Sequence, residues 1–311
     1  MEPGDGATGY RRQGDDSRGG AVTNERQIEV GHTRTVRVWD SGAGGGQATA
    51  PVVIWHHGTP QTGRILAPIA RAATRRGIRV ISCARAGYQG TTSLEGRRVA
   101  DAAADVVAVA AALGVERYAT MGASGGGPHA LACAALDPEH VVAAVTFAGI
   151  APYVDEPWWF EGMASPDGLR SAHEGGREAR RRHAETSDFD ESSFVDADWQ
   201  ALAGDWEALG ADAGRAGAEA RANGGVPWGE IDDDVAFVED WGIELGQIEC
   251  PAFIVQGGRD RVIPPAHSTA ILSALPAGEL WLRPRDGHVS VLGALPIALE
   301  WMLAAGRERA R

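Results

Sequence analysis

The chain has 311 residues, of which 44% are hydrophobic and 23% charged, a balance typical of a water-soluble globular protein with room for one large domain or two modest ones. The formal net charge of −13 argues against a nucleic-acid-binding protein, which needs a basic surface. All 29 basic residues are arginine, so Schiff-base chemistry and a phosphate-binding lysine are excluded.

Three further features bear on where the protein works. Residues 1–22 are rich in glycine and charge and lack the apolar segment of a signal peptide, so we expect a disordered tail and no export by that route. No stretch has the apolar length that spans a bilayer. The three cysteines are odd in number and lack metal-ligand spacing, which favours reduced, buried thiols. We therefore expect a cytoplasmic protein that does not contact membranes.

Strand and helix patterns alternate along most of the chain. A hairpin is predicted over residues 27–39, where polar and apolar residues alternate around a Gly-His turn. Short apolar runs typical of buried strands follow at 51–55, 78–82, 117–121, 141–147, 252–256 and 279–283. Helices are predicted over 64–75, 98–113, up to about 136, 266–275 and about 289–305. The alternation indicates an α/β fold with a mostly parallel central sheet flanked by helices, built from residues 23–151 and 242–311.

The alternation stops between residues 152 and 241. This region contains six of the ten tryptophans and 22 Asp or Glu against 7 Arg, with no buried-strand run. We predict an inserted, mainly helical cap, whose aromatic side chains form its own core or line a substrate pocket. The acidic excess is typical of a solvated face, and it disfavours polyanionic substrates within the screening length of about 8 Å at physiological salt.

The most informative stretch is ATMGASGGGPHAL, residues 119–131, which joins a predicted buried strand to a predicted helix. Glycine weakens both kinds of element, so a glycine cluster there needs a geometric reason. A nucleophilic serine stands exposed on a sharp turn after a central strand, and glycines two residues before and after it permit that crowded backbone. The pattern Gly122-x-Ser124-x-Gly126 therefore makes Ser124 a candidate nucleophile. The competing interpretation is a glycine turn with a bystander serine.

A serine nucleophile also needs backbone N–H groups that stabilise a tetrahedral oxyanion. The segment WHHGTP, residues 55–60, directly follows a predicted strand, and its glycine allows close backbone approach. Thr59 can donate its amide, whereas Pro60 has no N–H to donate. With the amide of Gly125, which follows the serine, Thr59 would complete a two-donor oxyanion hole. An ordinary tight turn is the simpler alternative for this segment.

An acid and a base must complete such a site. In AFIVQGGRDRVIPP, Asp260 follows the predicted strand 252–256, although a loop aspartate is more often a solvated turn former. In ELWLRPRDGHVSVL, His288 follows the last predicted strand and precedes the final helix. The chain order Ser, Asp, His is that of the α/β-hydrolases and differs from the orders in chymotrypsin and subtilisin.

With these motifs the chain resembles members of the α/β-hydrolase fold superfamily, in particular the serine esterase-like members with a helical cap. The stretches HHGTP, GASGGG, QGGRDRVIPP and DGHVSVL carry the resemblance, which covers about residues 25–305. The stretch ARAGYQGTT, residues 84–92, resembles the D-R-P-G-Y-G-G-S-T loop of the family but departs from it at Ala84, Ala86 and Gln89. Since that loop is structural in the family, the departures concern the subfamily more than the chemistry.

Several other residues compete for roles. Asp155 is the rival to Asp260, because some relatives carry the triad acid after the strand at 141–147; position and resemblance favour Asp260. The adjacent His56 and His57 point opposite ways on an extended segment and are structural in the family, so we predict no metal site. His129 is expected in the core or beside the substrate. Asp286 could orient His288, but a turn role is the simpler interpretation.

These residues predict a serine hydrolase without a cofactor that acts on a small or medium neutral, partly apolar ester or lactone. The same triad also serves C–C bond hydrolases, aminopeptidases and perhydrolases. The aminopeptidase is disfavoured because Gly125 replaces the bulky residue usual after its serine. An alternative that is not an enzyme in the ordinary sense is a degenerate hydrolase that binds a ligand and has little turnover. Neither the substrate nor the oligomeric state follows from the sequence.

Overall fold

The computed structural model of the protein describes residues 23–31, 33–42, 50–222 and 224–308. The predicted disordered tail, residues 1–22, lies outside the described residues. Within those ranges no helix is both long enough and apolar enough to cross a membrane.

The described residues contain one eight-stranded sheet. Its strands, in chain order, are β1 (Asn24–Val30), β2 (Arg34–Asp40), β3 (Val52–His56), β4 (Arg79–Cys83), β5 (Tyr118–Ala123), β6 (Val141–Phe147), β7 (Ala252–Gly257) and β8 (Gly278–Arg283). The spatial order is β1-β2-β4-β3-β5-β6-β7-β8. The β1–β2 and β2–β4 pairs are antiparallel and every other pair is parallel, so the predicted mostly parallel sheet is confirmed.

Helices cover both faces of the sheet and fill the segment between β6 and β7. The α-helices are α1 (Ala67–Thr74), α2 (Asp101–Ala112), α3 (Gly126–Leu136), α4 (Asp167–Thr186), α5 (Asp196–Leu202), α6 (Glu207–Ala222), α7 (Trp228–Val238), α8 (Pro265–Ala274) and α9 (Leu295–Glu308). Short 3₁₀ helices occupy Pro157–Trp159, Glu191–Ser193, Leu245–Gln247 and Ser290–Ala294.

The central strands alternate their side chains between two hydrophobic layers. On β3, Ile54 packs into one layer with α2 and α3, whereas Val53 and Trp55 pack into the other with α1 and α9. On β7, Ile254 and Val255 divide in the same way. Burial on both faces is the reason that these strands are continuous apolar runs, and it makes them recognisable in the sequence.

The segment between β6 and β7 contains α4 to α7, and we call residues 152–241 the helical insertion. Its described residues form no strand, and its boundaries as a separate domain stay a prediction. The long helix α4 is interrupted at Gly175 and Gly176, where the backbone leaves helical geometry. Trp159, Trp206 and Trp241 of the insertion are buried in the hydrophobic layers.

One element differs from the prediction made for the final helix. The predicted helix over about 289–305 is a 3₁₀ turn, Ser290–Ala294, followed by α9 from Leu295. The turn begins two residues after His288, and the backbone N–H of its first residue, Ser290, donates to Asp198 of the helical insertion.

Candidate active site

Ser124 stands on a sharp turn between β5 and α3. Its φ of +51° lies in the left-handed region, which is uncommon for a residue with a side chain. A Cβ on Gly122 would lie 2.2 Å from the carbonyl oxygen of Gly126, and one on Gly126 would lie 2.1 Å from that of His56. The backbone crowding therefore admits only glycine at both positions. The N–H of Ser124 donates to the carbonyl of Phe147 at 2.8 Å, which fixes the turn to the end of β6.

The segment after β3 packs directly against this turn. A Cβ on Gly58 would lie 3.6 Å from the Cβ of Ser124, and one on Gly125 would lie 2.4 Å from the Oγ1 of Thr59. Among the described residues, neither the amide of Thr59 nor that of Gly125 donates a hydrogen bond to the protein. Both N–H groups thus lie beside the serine and are available to a ligand oxygen.

Asp260 and His288 lie in the loops that follow β7 and β8. Asp260 Oδ2 is 2.8 Å from the Nδ1 of His288, and the Asp260 side chain is completely buried. Its other oxygen accepts the N–H groups of Val262 and Ile263, each at 2.9 Å, while Gln256 donates to Oδ2 at 3.2 Å. With the carboxylate held on both oxygens, Nδ1 is the protonated nitrogen of the neutral ring and Nε2 keeps a free lone pair.

Two opposing effects act on the imidazole of His288. Burial alone would lower its pKa, but the adjacent Asp260 carboxylate, with Asp198 behind it, more than offsets the burial and leaves the pKa above the ordinary histidine value. The ring therefore favours its protonated form more than a free histidine does, as a base that transiently carries a proton requires.

The sheet brings Ser124, Asp260 and His288 to one edge, where β5, β7 and β8 end. Among the described residues no hydrogen bond joins the Ser124 hydroxyl to His288. Asp260 and His288, predicted from the sequence as acid and base, are thus hydrogen-bonded directly to each other. Ser124 lies beside the predicted oxyanion donors, the amides of Thr59 and Gly125. Catalytic hydrogen bonds commonly tighten only once substrate is bound.

The rival acids lie elsewhere. Asp155 is exposed, and its recorded partner is the hydroxyl of Tyr153 at 3.5 Å. Asp286 is paired with the guanidinium of Arg283. Neither carboxylate contacts His288, whereas that of Asp260 does.

The adjacent histidines after β3 are buried and neutral. His56 Nε2 lies 3.0 Å from the hydroxyl of Thr120, and burial lowers the pKa of His56 to about 3. His57 donates through Nδ1 to the carbonyl of Gly58 at 2.7 Å and accepts the N–H of Arg85 at 3.1 Å, and burial likewise lowers its pKa. Throughout the described ranges no group of three or more His, Cys, Asp or Glu is arranged to hold a metal ion.

His129 is fully buried on α3, one turn beyond the serine. Its Nδ1 donates to the carbonyl of Gly125 at 2.8 Å, and its ring packs edge-on against Phe237 of the insertion. Its Nε2 lies 3.9 Å from an oxygen of Asp233 and has no hydrogen-bond partner. Burial, and next the charge of Arg85, lower the pKa of His129. The histidine belongs to the core beneath the turn.

Two buried acidic neighbourhoods beside the candidate site were missed by the sequence reasoning. The first is a buried charged cluster behind Thr59, in which Asp233 of α7 accepts Arg85 Nη2 and Arg97 Nη2, each at 2.5 Å, and the hydroxyl of Tyr88 at 2.7 Å. Burial would raise the pKa of Asp233, but the two guanidinium groups hold it well below its usual value. The second neighbourhood, around Asp198 of α5, lies against the loop of His288. Both acids lie in the acid-rich stretch 152–241, whose acids the sequence analysis expects on a solvated face.

Comparison with known proteins gives a family-level result. A sequence model of the α/β hydrolase fold matches residues 51–294. None of the curated proteins compared with the sequence is a detectable relative.

Solved structures with 18–19% sequence identity share the architecture. They include a bromoperoxidase from Bacillus anthracis (TM-score 0.68, 19% identity, 90% of this chain and 100% of that one). An esterase from Thermogutta terrifontis aligns with a TM-score of 0.63 and 18% identity over 91% of this chain and 99% of that one. A 2-hydroxy-6-oxo-6-phenylhexa-2,4-dienoate hydrolase from a Rhodococcus species aligns with a TM-score of 0.64 and 18% identity over the same shares. At these identities the likeness shows a common fold.

Proposed function

Since the chain belongs to the α/β-hydrolase fold family, as its motifs predicted, we propose that it is a serine hydrolase that cleaves a small or medium neutral ester or lactone. The hydrogen bond between the buried carboxylate of Asp260 and the imidazole of His288 is the observation that carries the proposal. A buried carboxylate that holds one imidazole nitrogen and leaves the other free, at the same edge of the sheet as the turn of Ser124, is typical of a nucleophile-activating base.

The reaction proceeds through an acyl-enzyme. His288 Nε2 removes the proton from the Ser124 hydroxyl as the oxygen attacks the substrate carbonyl, and the imidazolium is stabilised by Asp260. The amides of Thr59 and Gly125 donate to the oxyanion. The intermediate collapses when His288 gives its proton to the leaving alcohol. A water molecule then attacks the acyl group while His288 takes its proton. As the second intermediate collapses, His288 gives that proton to the Ser124 oxygen, and the carboxylic acid and free Ser124 are released. No step calls on a cofactor or a metal.

The surroundings of the serine favour an ester over a peptide substrate. The space at Gly125 is taken by Thr59 Oγ1, 2.4 Å from where a Cβ would be, and by the Phe237 ring at 3.1 Å. A bulky residue after the serine, usual in the aminopeptidases of this fold, therefore has no room. The excess of acids on the insertion supports a neutral substrate, because it repels polyanions at close range.

Two assays test the function. A fluorophosphonate probe should label Ser124 in the wild-type protein, and a panel of p-nitrophenyl esters of increasing acyl length, with several lactones, should reveal turnover. Labelling without turnover of any ester or lactone would favour C–C bond hydrolysis or perhydrolysis on the same triad. Absence of both labelling and turnover in a folded protein would refute the hydrolase and favour a ligand-binding protein.

A further inference from the structure

The helical insertion reaches the loop of the catalytic base through one buried carboxylate. Asp198, on α5, has no exposed surface. Its Oδ1 accepts the N–H groups of Val289 and Ser290 and the hydroxyl of Ser290, each at 2.8 Å. Its Oδ2 accepts the N–H of His288 at 3.1 Å. Four hydrogen bonds to three consecutive residues bind this loop to an element that precedes it by about ninety positions.

The loop is shaped around that carboxylate. A Cβ on Gly287 would lie 2.1 Å from Asp198 Oδ2 and 2.7 Å from a methyl group of Val195, so only glycine fits there. The hydroxyl of Ser290 donates to Asp198 while accepting the N–H of Gly287 at 2.8 Å. The carboxylate thus fills the space of the absent side chain and determines the path of the chain through residues 287–290.

The carboxylate also acts on the imidazole electrostatically. The charged groups that raise the pKa of His288 against the effect of burial are Asp260, which contacts the ring, and Asp198, which lies behind the backbone. In the part of the chain that the structure describes, no arginine side chain forms a salt bridge with Asp198. The negative charge of Asp198 is solvated by N–H and O–H groups and is not neutralised by a cation among the described residues. It can therefore stabilise the imidazolium of His288.

We propose that Asp198 is a positioning residue for the hydrolytic reaction, holding the loop that aims His288 and adding a second negative charge behind its imidazolium. The inference rests on the proposed function, in which His288 is the base. It makes the helical insertion a part of the catalytic apparatus. An insertion that opened at α5 would break the four hydrogen bonds of the Asp198 carboxylate to this loop and release the base.

Three variants separate these roles. Asp198→Asn keeps the shape, removes the charge and places an amide against N–H donors. Ser290→Ala removes the two hydrogen bonds of the Ser290 hydroxyl, to Asp198 and from Gly287, but keeps the charge. Asp196→Asn is the matched control, since Asp196 is exposed on the same helix. With a p-nitrophenyl ester, Asp198→Asn should lower kcat about 10- to 100-fold, as a misplaced catalytic group does, while KM changes less than about threefold. Asp196→Asn should match the wild type, and an equal loss in both variants would overturn the proposal.

A titration distinguishes positioning from a merely structural role. The titration of the His288 imidazole can be followed by NMR. Its midpoint should move to lower pH in Asp198→Asn and equal that of the wild type in Ser290→Ala. An unchanged or raised midpoint in folded Asp198→Asn contradicts the proposal. This measurement needs no turnover, so a wild type inactive on every ester would end the proposed function while the titration still decides the role of Asp198.

If Asp198→Asn fails to fold, Ser290→Ala decides the matter. A folded Ser290→Ala protein with kcat lowered about threefold or more and an unchanged KM supports the positioning of His288 through this loop. A folded Ser290→Ala protein with wild-type kcat shows that the loop holds the base without this network and overturns the inference.

Discussion

The hydroxyl of Thr59 donates a hydrogen bond to the carboxylate of Asp233, 2.7 Å away in space and 174 residues later in the chain. Thr59 carries one of the two amides beside Ser124, and Asp233 belongs to α7 of the helical insertion. Arg85 completes the contact by donating from Nη2 to the Thr59 hydroxyl at 3.0 Å. The segment that supplies the proposed oxyanion donor is therefore held by a buried ion cluster and not by local turn geometry alone.

Removing the charge of Asp233 should destabilise the protein and impair catalysis. Asp233→Asn leaves the buried Arg85 and Arg97 without their shared counter-ion, and breaking a buried ion pair typically costs about 3–5 kcal/mol. We expect the free energy of unfolding, measured by urea denaturation, to fall by this order. At a temperature where the variant is folded, kcat should also fall, since Thr59 loses its hydrogen-bond acceptor.

Asp240→Asn serves as the control for that measurement. Asp240 is 80% exposed and lies 3.8 Å from Arg98, so its loss should change stability by less than about 0.5 kcal/mol. Equal stability of Asp233→Asn and Asp240→Asn would show that the cluster is not needed to hold the insertion on the core.

Ser124→Ala should abolish ester hydrolysis and leave the fold intact. The loss of a triad nucleophile costs on the order of 10⁶ in turnover, and alanine places the same Cβ as serine at the left-handed φ of +51°, so the substitution adds no bulk to the turn. The comparison is made by ester hydrolysis with a thermal melting curve of each protein. A folded Ser124→Ala protein with near wild-type turnover would rule out the acyl-enzyme mechanism.

The residues that could be recognised in the sequence are those with local signatures. β3 and β7 are short apolar runs because both faces are buried. Ser124 is a candidate because the turn needs glycines at fixed offsets, and His288 is a candidate because it follows the last strand. In each instance the physical cause lies within a few residues of its effect.

Asp198 and Asp233 could not be identified in the same way. Their partners lie about 90 and 174 residues away, and nothing beside them in the sequence indicates an anchor. Both stand in a stretch with 22 acids, where a solvated face is the simplest expectation. Only the fold, which buries these two together with Asp212 and Asp232 while most other acids of the stretch stay accessible, shows which carboxylates are structural.

Buried histidines should make the protein lose stability in mild acid. His267 accepts the N–H of Ala151 at 3.1 Å and donates to the carbonyl of Trp159 at 2.8 Å, so its ring must be neutral, and burial lowers its pKa to about 4. Burial lowers the pKa of His56 to about 3. Below the ordinary histidine pKa of 6.5, these two histidines bind protons in the unfolded chain but stay neutral in the folded chain. The free energy of unfolding therefore falls as pH falls.

At pH 5 each of these two histidines should contribute a loss of about 2 kcal/mol relative to pH 7. The raised pKa of His288 acts in the opposite sense, but its effect is complete once pH is below 6.5. Urea denaturation at pH 7.5, 6 and 5 checks the slope. Stability that is constant over this interval would mean that the histidines are protonated in the folded protein.

The acid of the proposed triad can be tested by comparing two isosteric variants. Asp260→Asn keeps the size of the side chain but presents an amide to Nδ1 of His288, which favours the wrong tautomer and removes the charge that stabilises the imidazolium. We expect turnover to fall roughly 10³- to 10⁴-fold. Asp155→Asn, in which an exposed carboxylate is replaced, should lose less than about tenfold.

The pH profile gives this comparison a second readout. In the wild type the base must be neutral, so kcat/KM should decline on the acid side of a pKa above 6.5, and Asp155→Asn should keep that profile. In Asp260→Asn the decline should move to lower pH, because the largest charge that raises the His288 pKa is gone while burial continues to lower it. If instead Asp155→Asn is the crippled variant and Asp260→Asn hydrolyses esters nearly normally, the carboxylate that serves His288 during the reaction comes from the start of the insertion. The insertion would then have to rearrange on binding substrate, since Asp155 lies exposed and away from the imidazole in this structure.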